Sequence, residues 1–288
     1  MQPSSHPTFE VGVHSVDGTE LHYRVAGDPD DPALVFLHAG IADSRMWDGF
    51  AGRFADRFRV VTYDLRGFGR SRHARGTFSH VGDLGTLLDA LGAESASLVG
   101  ASMGGAVAVD FALSHPERVD SLSLLAPAVG GYDFEDEATL DGWAEAEEAF
   151  EAGDYDAAAR IEMDVWLAGP DRALDGVGPD LVVRVREMLL RSYELDAAGG
   201  EEVDGVDGGA PAVDRLGDLD VPTLVVVGEG DTSDMRRIAR LVERDVPDAR
   251  LHTVAGVAHL PSVERPETVA GVVSSFLDGV RQAVEGGR

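Results

Sequence analysis

The chain has 288 residues, which suits one large domain or a core domain with a modest insertion. Asp and Glu number 52 against 24 basic residues, so the net charge is −28 and nucleic acid is excluded as the expected partner, because the field has the wrong sign. Cysteine is absent, which rules out disulfides, thiolate catalysis and cysteine-bound metals, and no apolar run reaches the roughly 18 residues of a membrane span.

The excess of acidic residues is large for a compact protein, and every basic residue is arginine. Self-repulsion of this charge weakens a fold in dilute buffer, whereas molar salt shortens the Debye length to about 3 Å and screens it. We therefore interpret the chain as a protein of a halophile with a salt-rich cytoplasm. A GC-rich genome is the alternative, and it explains the missing lysine but not the acidic excess. The polar segment 1–10 lacks the layout of a signal peptide, so the cytoplasm is the expected compartment.

Short apolar or alternating runs predict the strands of one sheet. Segments 9–15 and 20–25 flank the turn Asp17-Gly18 and predict a β-hairpin. Six further runs span 33–37, 59–63, the surroundings of 98–99, 121–125, 221–227 and 250–254. Helical patterns lie between the runs at 44–57, 80–91, 106–113 and 236–244, and Pro266 can start a last helix. This alternation predicts a mostly parallel sheet covered on both faces, with functional sites at the carboxyl ends of the strands.

Residues 129–214 break the alternation of strands and helices. They contain three helical patterns and then a segment rich in Gly, Asp and Glu, which is predicted to be a mobile connection. The three patterns span 136–151, 155–167 and 180–193, and the connection spans 194–214. The sequence thus predicts a core domain formed by 1–128 and 215–288, with a helical cap inserted at 129–214.

One pentapeptide carries the strongest signal for chemistry. Gly100-Ala101-Ser102-Met103-Gly104 follows a predicted strand and precedes a helical pattern, as the Gly-x-Ser-x-Gly nucleophile elbow requires. A strained turn at such an elbow pushes the serine hydroxyl out over the sheet edge, and glycines two positions away leave it room. An ordinary glycine-rich turn is the alternative, but the strand-elbow-helix context favours Ser102 as a nucleophile.

A serine hydroxyl needs a base to take its proton, and the base needs a carboxylate to orient it. With an elbow of this type, the order along the chain is Ser, acid, His. His252 lies within a predicted strand, whereas His259 lies in a loop just past one, so His259 is the predicted base. Asp231 directly follows the run 221–227 and is the predicted acid. Asp234 is the nearest competitor, but its position suits a helix start.

Acyl transfer also needs two preorganised backbone donors for the oxyanion of a tetrahedral intermediate. One is predicted to be the N–H of Met103, directly after the nucleophile. The other is predicted in the loop His38-Ala39-Gly40-Ile41, which follows the run 33–37. Gly40 is the preferred donor because its bare backbone lets a substrate oxygen approach. His38 is predicted to be structural, with its ring hydrogen-bonded inside the loop.

Together these segments resemble the α/β-hydrolase superfamily over nearly the whole chain. The matching pieces are Leu37 to Gly40, Asp64 to Ser71, the elbow, Gly228 to Asp231, and His259. The resemblance implies the α/β-hydrolase fold, with a mostly parallel eight-stranded sheet flanked by helices and an inserted helical cap. Within the superfamily the chain is most similar to the small-cap esterase and enol-lactonase-like branch. Ala39 stands where the family usually has Gly, which leaves the second donor open between Gly40 and Ile41.

The leading functional prediction is a serine hydrolase that cleaves a carboxylic ester or lactone through an acyl-enzyme intermediate. Carbon–carbon bond hydrolysis, perhydrolysis and acyl transfer use the same triad, so the sequence does not separate them, and a slow-turnover signalling protein is a further alternative. The pocket is predicted to lie between Trp47, Ile41, Met103, the cap helices and His259, and to bind a small-molecule ester or lactone. No cofactor, metal, nucleic acid or membrane is expected as a partner, and the oligomeric state is left open.

Overall fold

The computed structural model describes residues 7–73, 77–196, 201–202 and 210–286. Its centre is an eight-stranded sheet in the spatial order β1-β2-β4-β3-β6-β7-β9-β10. The strands are β1 (Glu10–Val16), β2 (Thr19–Ala26), β3 (Ala33–Leu37), β4 (Arg59–Tyr63), β6 (Ala96–Ala101), β7 (Val119–Leu125), β9 (Thr223–Gly228) and β10 (Ala249–Val254), and two short strands, β5 (Thr77–Phe78) and β8 (Glu201–Glu202), pair separately. Strands β1, β2 and β4 pair antiparallel and all other neighbours in the sheet are parallel. The predicted sheet is confirmed.

Helices follow or precede most strands, as the alternation predicted. They are α1 (His80–Ala90), α2 (Met103–Ser114), α3 (Glu137–Glu151), α4 (Tyr155–Glu162), α5 (Pro179–Asp196), α6 (Ser233–Asp245), α7 (Pro261–Glu264) and α8 (Pro266–Gly286). Helix α2 packs on β6, while α6 and α8 both contact β9. Among the described residues, no helix is long and apolar enough to cross a bilayer.

Burial explains why the strand predictions succeeded. Strands β3, β6 and β9 are buried at every position, which is typical of parallel strands that are covered on both faces. Such strands read as continuous apolar runs, and β3 occupies the predicted residues without a shift at either end. The hairpin turn is also as predicted, with Asp17 and Gly18 both at positive φ.

The predicted helix over 44–57 is wrong in form. The structure has two short 3₁₀ helices instead, Ser44–Trp47 and Ala51–Phe54. The chain is extended at Asp48 (ψ 127°) and left-handed at Gly49 (φ 77°), so the helix cannot continue between them. The apolar residues of this stretch nevertheless belong to the core, because Trp47, Phe50 and Phe54 pack against Phe36.

We use the name cap segment for residues 129–214, the stretch predicted to be a cap, and its described part contains α3, α4 and α5. The predicted helix over 155–167 changes character, because α4 ends at Glu162 and residues Met163–Ala168 form a π-helix. Two sets of packed aromatic rings hold the cap helices together, and the sequence analysis did not anticipate either. The first comprises Tyr132, Phe134, Trp143 and Trp166, and the second comprises Phe150, Tyr155 and Tyr193.

The predicted connection over 194–214 lies mainly outside the described residues. At its start, α5 continues to Asp196. At its end, Ala212–Asp214 form a 3₁₀ turn whose Ala212 side chain is buried. These two ends are therefore regular structure. The division of the chain into a core domain and a cap remains a prediction.

We expect withdrawal of salt to inactivate the protein before it unfolds. Helix α3 carries acidic side chains and no basic one, so its exposed surface has charge of a single sign. The Debye length is about 30 Å at 0.01 M salt and about 3 Å at 1 M, so repulsion within the cap segment grows steeply as salt is removed. Ester turnover and thermal unfolding, measured from roughly 0.05 to 3 M KCl, should fail at different concentrations, turnover at the higher one. Flat curves would remove the halophile interpretation.

Candidate active site

Ser102 lies at a strained turn between β6 and α2. Its backbone has φ 49° and ψ −115°, a conformation that residues other than glycine rarely adopt. A Cβ added at Gly100 would collide with the carbonyl of Gly104, and one added at Gly104 would collide with that of Leu37. Both glycines are therefore required by close backbone approach. This geometry places Ser102 at the carboxyl end of a central strand and at the start of a helix.

Asp231 and His259 meet at the same end of the sheet. Asp231 follows β9, His259 lies in the loop after β10, and the distance from His259 Nδ1 to Asp231 Oδ2 is 3.0 Å. The His259 side chain is only 2% exposed and the Asp231 side chain only 1%. The other carboxylate oxygen accepts a hydrogen bond from the N–H of Thr232 at 2.8 Å. Because both oxygens have partners, the carboxylate is fixed in orientation and in turn fixes the imidazole.

Asp234, the competing acid, has different partners. It accepts hydrogen bonds from the Tyr132 hydroxyl and from the N–H groups of Glu135 and Asp136, and it pairs with Arg237. Burial raises the pKa of Asp234, but these hydrogen bonds outweigh burial and hold the pKa below its ordinary value. Asp136 in turn accepts hydrogen bonds from the hydroxyl and N–H of Ser233. Asp234 therefore joins the start of α6 to the start of α3.

The two sequence-predicted oxyanion donors are neighbours. A Cβ added at Gly40 would lie 3.6 Å from the sulfur of Met103, so the two residues are neighbours. Within the described residues, neither N–H donates to a protein acceptor, whereas the N–H of Ala39 points to the sulfur of Met46. The N–H of Ile41 also makes no such bond there. The choice between Gly40 and Ile41 as the second donor remains a prediction.

His38 is a structural residue in this loop. Its Nδ1 lies 2.9 Å from the carbonyl of Ala39, and its Nε2 accepts a hydrogen bond from the N–H of Leu65 at 3.0 Å. Burial lowers the pKa of His38, which keeps the ring neutral with one donor and one acceptor. The ring thus joins the loop after β3 to the loop after β4. The prediction had placed its hydrogen bonds within the first of these loops alone.

The remaining sequence-predicted residues, Ile41 and Trp47, are both buried. Ile41 is buried beside Gly40. Trp47 is 1% exposed, and its ring packs against those of Phe36 and Phe50, so it lies in the core beneath the loop. Their contact with substrate stays a prediction.

Comparison with known proteins identifies the family. Residues 32–266 match the family described as alpha/beta hydrolase fold. The chain belongs to the α/β-hydrolase family. This confirms the fold predicted from the nucleophile elbow and the segments around it.

Relatives of this α/β-hydrolase include esterases and lactonases. It is 25% identical to 3-oxoadipate enol-lactonase 1 of Acinetobacter baylyi over 93% of this chain and 99% of that protein. It is 27% identical to a carboxylesterase of Bacillus subtilis over 90% of this chain and 85% of that protein. These matches confirm the predicted resemblance to esterases and enol-lactonases, and with it the prediction of an enzyme of the ester-hydrolase type.

Solved structures give the same fold. A carboxylesterase of Bacillus subtilis superposes with a TM-score of 0.76 at 24% identity. The match covers 94% of this chain and 92% of the esterase chain. An enol-lactonase of Burkholderia xenovorans superposes with a TM-score of 0.76 at 23% identity, covering 93% of this chain and 100% of its own.

The cap segment of this hydrolase contacts His259 directly. The ring of Trp166, in the π-helix, lies 4.6 Å from the imidazole between centroids, and the carbonyl of Trp166 accepts the backbone N–H of His259 at 3.3 Å. Irregular π-helical turns are frequent at functional sites. The sequence analysis missed Trp166, because no local pattern links an aromatic residue of a cap helix with a distant histidine.

Arg172 and Glu264 form an ion pair beside the contact between Trp166 and His259. Arg172 donates to the carbonyls of Leu167 and Ala168, at the end of the π-helix, and pairs with both oxygens of Glu264. Glu264 also accepts the N–H of Ala258, the residue before His259, at 2.9 Å. One ion pair thus joins the end of a cap helix to the backbone that carries the imidazole.

We expect Arg172→Gln to lower kcat by roughly 10- to 100-fold with little change in KM, because a displacement of His259 by about 1 Å is enough for such a loss. Arg172→Lys should recover part of the rate, since it restores the charge opposite Glu264. Steady-state kinetics across the pH range would measure both effects and any displacement of the pH–rate profile.

The matched control is Arg186→Gln, which removes another cap arginine that is paired with an exposed aspartate, Asp156. Equal losses of kcat in Arg172→Gln and Arg186→Gln would mean that Arg172 has no role in positioning His259.

Proposed function

We propose that this α/β-hydrolase cleaves a carboxylic ester or a lactone through an acyl-enzyme. In this proposal Ser102 is the nucleophile, His259 the general base and Asp231 the acid that orients it. The observation that best supports this proposal is the 3.0 Å contact between His259 Nδ1 and Asp231 Oδ2. It lies at the carboxyl ends of the parallel strands, where the strained elbow holds Ser102. A carboxylate at Nδ1 keeps the proton on that nitrogen, which leaves the Nε2 lone pair available to the serine.

Acylation then proceeds in two steps. Nε2 of His259 takes the hydroxyl proton while Ser102 Oγ attacks the carbonyl carbon, and the carbonyl oxygen becomes an oxyanion. The N–H groups of Met103 and Gly40, with the N-terminus of α2, stabilise that charge. The imidazolium returns the proton to the alcohol oxygen, the acyl–oxygen bond breaks, and an ester to Ser102 remains. In a lactone the released alcohol stays attached to the acyl group.

Deacylation repeats the sequence with water as the nucleophile. His259 removes a proton from water, hydroxide adds to the acyl carbon, and the same backbone donors stabilise the second oxyanion. Collapse of this intermediate returns the proton to Ser102 Oγ and releases the acid. Asp231 remains ionised throughout and stabilises the imidazolium in both halves of the cycle.

The Ser102 hydroxyl and His259 are not hydrogen-bonded in the described part of the chain, where the bonds of His259 go to Asp231 and to the carbonyl of Trp166. Catalytic hydrogen bonds of this kind are often long in the free enzyme and tighten when substrate binds. The names of the relatives support the choice of substrate class, because a carboxylesterase and an enol-lactonase both act on an acyl–oxygen bond.

A fluorophosphonate probe tests the nucleophile independently of the substrate. We expect a single adduct, on the peptide that contains Ser102, and no adduct in Ser102→Ala. A panel of esters, lactones and diketones then tests the substrate class, with turnover expected on the first two. Labelling at another serine, or cleavage confined to diketones, would contradict the proposal.

A further inference from the structure

A cavity of about 270 Å³ lies between strands β1 and β2, the loops after β3 and β4, and helix α5 of the cap segment. Among its lining residues are four arginines, Arg24, Arg45, Arg70 and Arg191. None of the three proposed triad residues is in that lining, within the described part of the chain. The concentration of arginine is notable because the chain has only 24 basic residues against 52 acidic ones.

The cavity lies at the edge of the sheet where α/β proteins bind ligands. Its wall includes Asp43 to Arg45, which continue the loop after β3, and Asp64, which directly follows β4. The cap segment contributes Arg191 of α5, whose Nε donates to the carbonyl of Gly69 at 2.9 Å. Ligands of parallel sheets bind outside the carboxyl ends of the strands, and both loops start there.

Two buried carboxylates also line the cavity, but their oxygens already have partners. Both oxygens of Asp43 accept from Arg45. Asp64 accepts the N–H of Ser44 on one oxygen and the N–H of Arg70 on the other, each at 2.9 Å. The two carboxylates therefore support the arginine side chain and the loop backbone that form the wall.

Several guanidinium donors at the cavity have no acceptor among the described residues. The side chain of Arg70 is exposed and donates no hydrogen bond there. Arg45 uses Nε and one terminal nitrogen on Asp43, which leaves the other terminal nitrogen unused. Arg191 likewise has one unused terminal nitrogen, because the others serve Gly69 and Glu194.

We propose that this cavity is a binding site for a small carboxylate anion. Planar guanidinium groups match carboxylates with paired N–H donors, and these bonds are stronger than neutral ones. The cavity is smaller than the roughly 300–1,000 Å³ of pockets for drug-sized ligands, so its ligand is small. Arg24, Arg45 and Arg191 also pair with Asp48, Asp43 and Glu194, which limits the affinity of the site and leaves Arg70 as its arginine without a carboxylate partner among the described residues.

Calorimetric titration with succinate tests the site, with neutral succinamide as the comparison compound. The titrations use the full chain carrying Ser102→Ala, at an ionic strength held constant with KCl, so that the result does not depend on turnover. We expect saturable binding of succinate and none of succinamide. Adding Arg70→Gln should weaken succinate binding by about tenfold, since it removes one charge-assisted contact. The fold should be retained in that variant, because Arg70 has no side-chain partner to lose among the described residues.

Arg160→Gln is the matched control, because Arg160 is an exposed arginine of the cap segment that does not line this cavity. It should leave succinate binding unchanged. The proposal is overturned if succinate does not bind, if succinamide binds equally well, or if Arg70→Gln and Arg160→Gln bind succinate with the same affinity. Failure of the ester-hydrolase proposal would leave each of these outcomes unaltered.

Discussion

Ser102→Ala is expected to lose on the order of 10⁴- to 10⁶-fold in kcat, because a group that acts as one unit with the base and acid is removed. The fold should be retained. Alanine at Ser102 meets the same backbone strain as serine, at φ 49°, and only a hydroxyl is lost. Turnover of the best ester from the panel, together with the melting temperature, would measure both expectations.

Ser275→Ala is a suitable control for this measurement, because Ser275 is an exposed serine of α8, away from the strand ends that carry the triad. It should retain wild-type turnover. If Ser102→Ala kept a tenth of the wild-type activity, Ser102 would not be the nucleophile.

Asp231→Asn should lower kcat by about 10⁴-fold, since an amide can donate to Nδ1 and hold His259 in the wrong tautomer. The change is nearly isosteric, and the side chain is buried, with one carboxylate oxygen accepting a hydrogen bond from the N–H of Thr232. Substrate binding should therefore change much less than turnover. Values of kcat and KM for the variant, with its melting temperature, separate these effects.

Asp234→Asn is the comparison variant for Asp231→Asn. It should leave kcat nearly intact and lower stability by about 1–3 kcal/mol, because Asp234 accepts buried hydrogen bonds that join α3 to α6. The reverse result, with a large loss of kcat in Asp234→Asn and a small one in Asp231→Asn, would transfer the role of the acid to Asp234.

Sequence reasoning succeeded where one local cause determines the structure. Strand β3 is buried on both faces, so its apolar run marks both ends, and the glycines at positions 100 and 104 are required by backbone approach at the elbow. The preference for Asp231 over Asp234 came from position alone, because one follows a strand and the other starts a helix, and the role of the acid stays a prediction. The structure then placed Asp231 at His259 and Asp234 at the start of α3.

One miss was local, because Gly49 itself marks the break in the helix predicted over 44–57. The other missed features are contacts between distant parts of the chain. The pair Arg172 and Glu264 joins residues that are 92 positions apart, and the ring of Trp166 lies against that of His259. No local propensity encodes such pairs.

The cap segment contacts the rest of the chain at several points, and these contacts limit how chimeras with related hydrolases can be built. Asp136 accepts a hydrogen bond from Ser233 at the start of α6, the ring of Trp166 lies against His259, and Arg172 pairs with Glu264. A donor cap joined at the outer ends of the segment would remove all three contacts together. Junctions placed inside it, which keep residues 132–136 and 166–172 of the host, would retain all three.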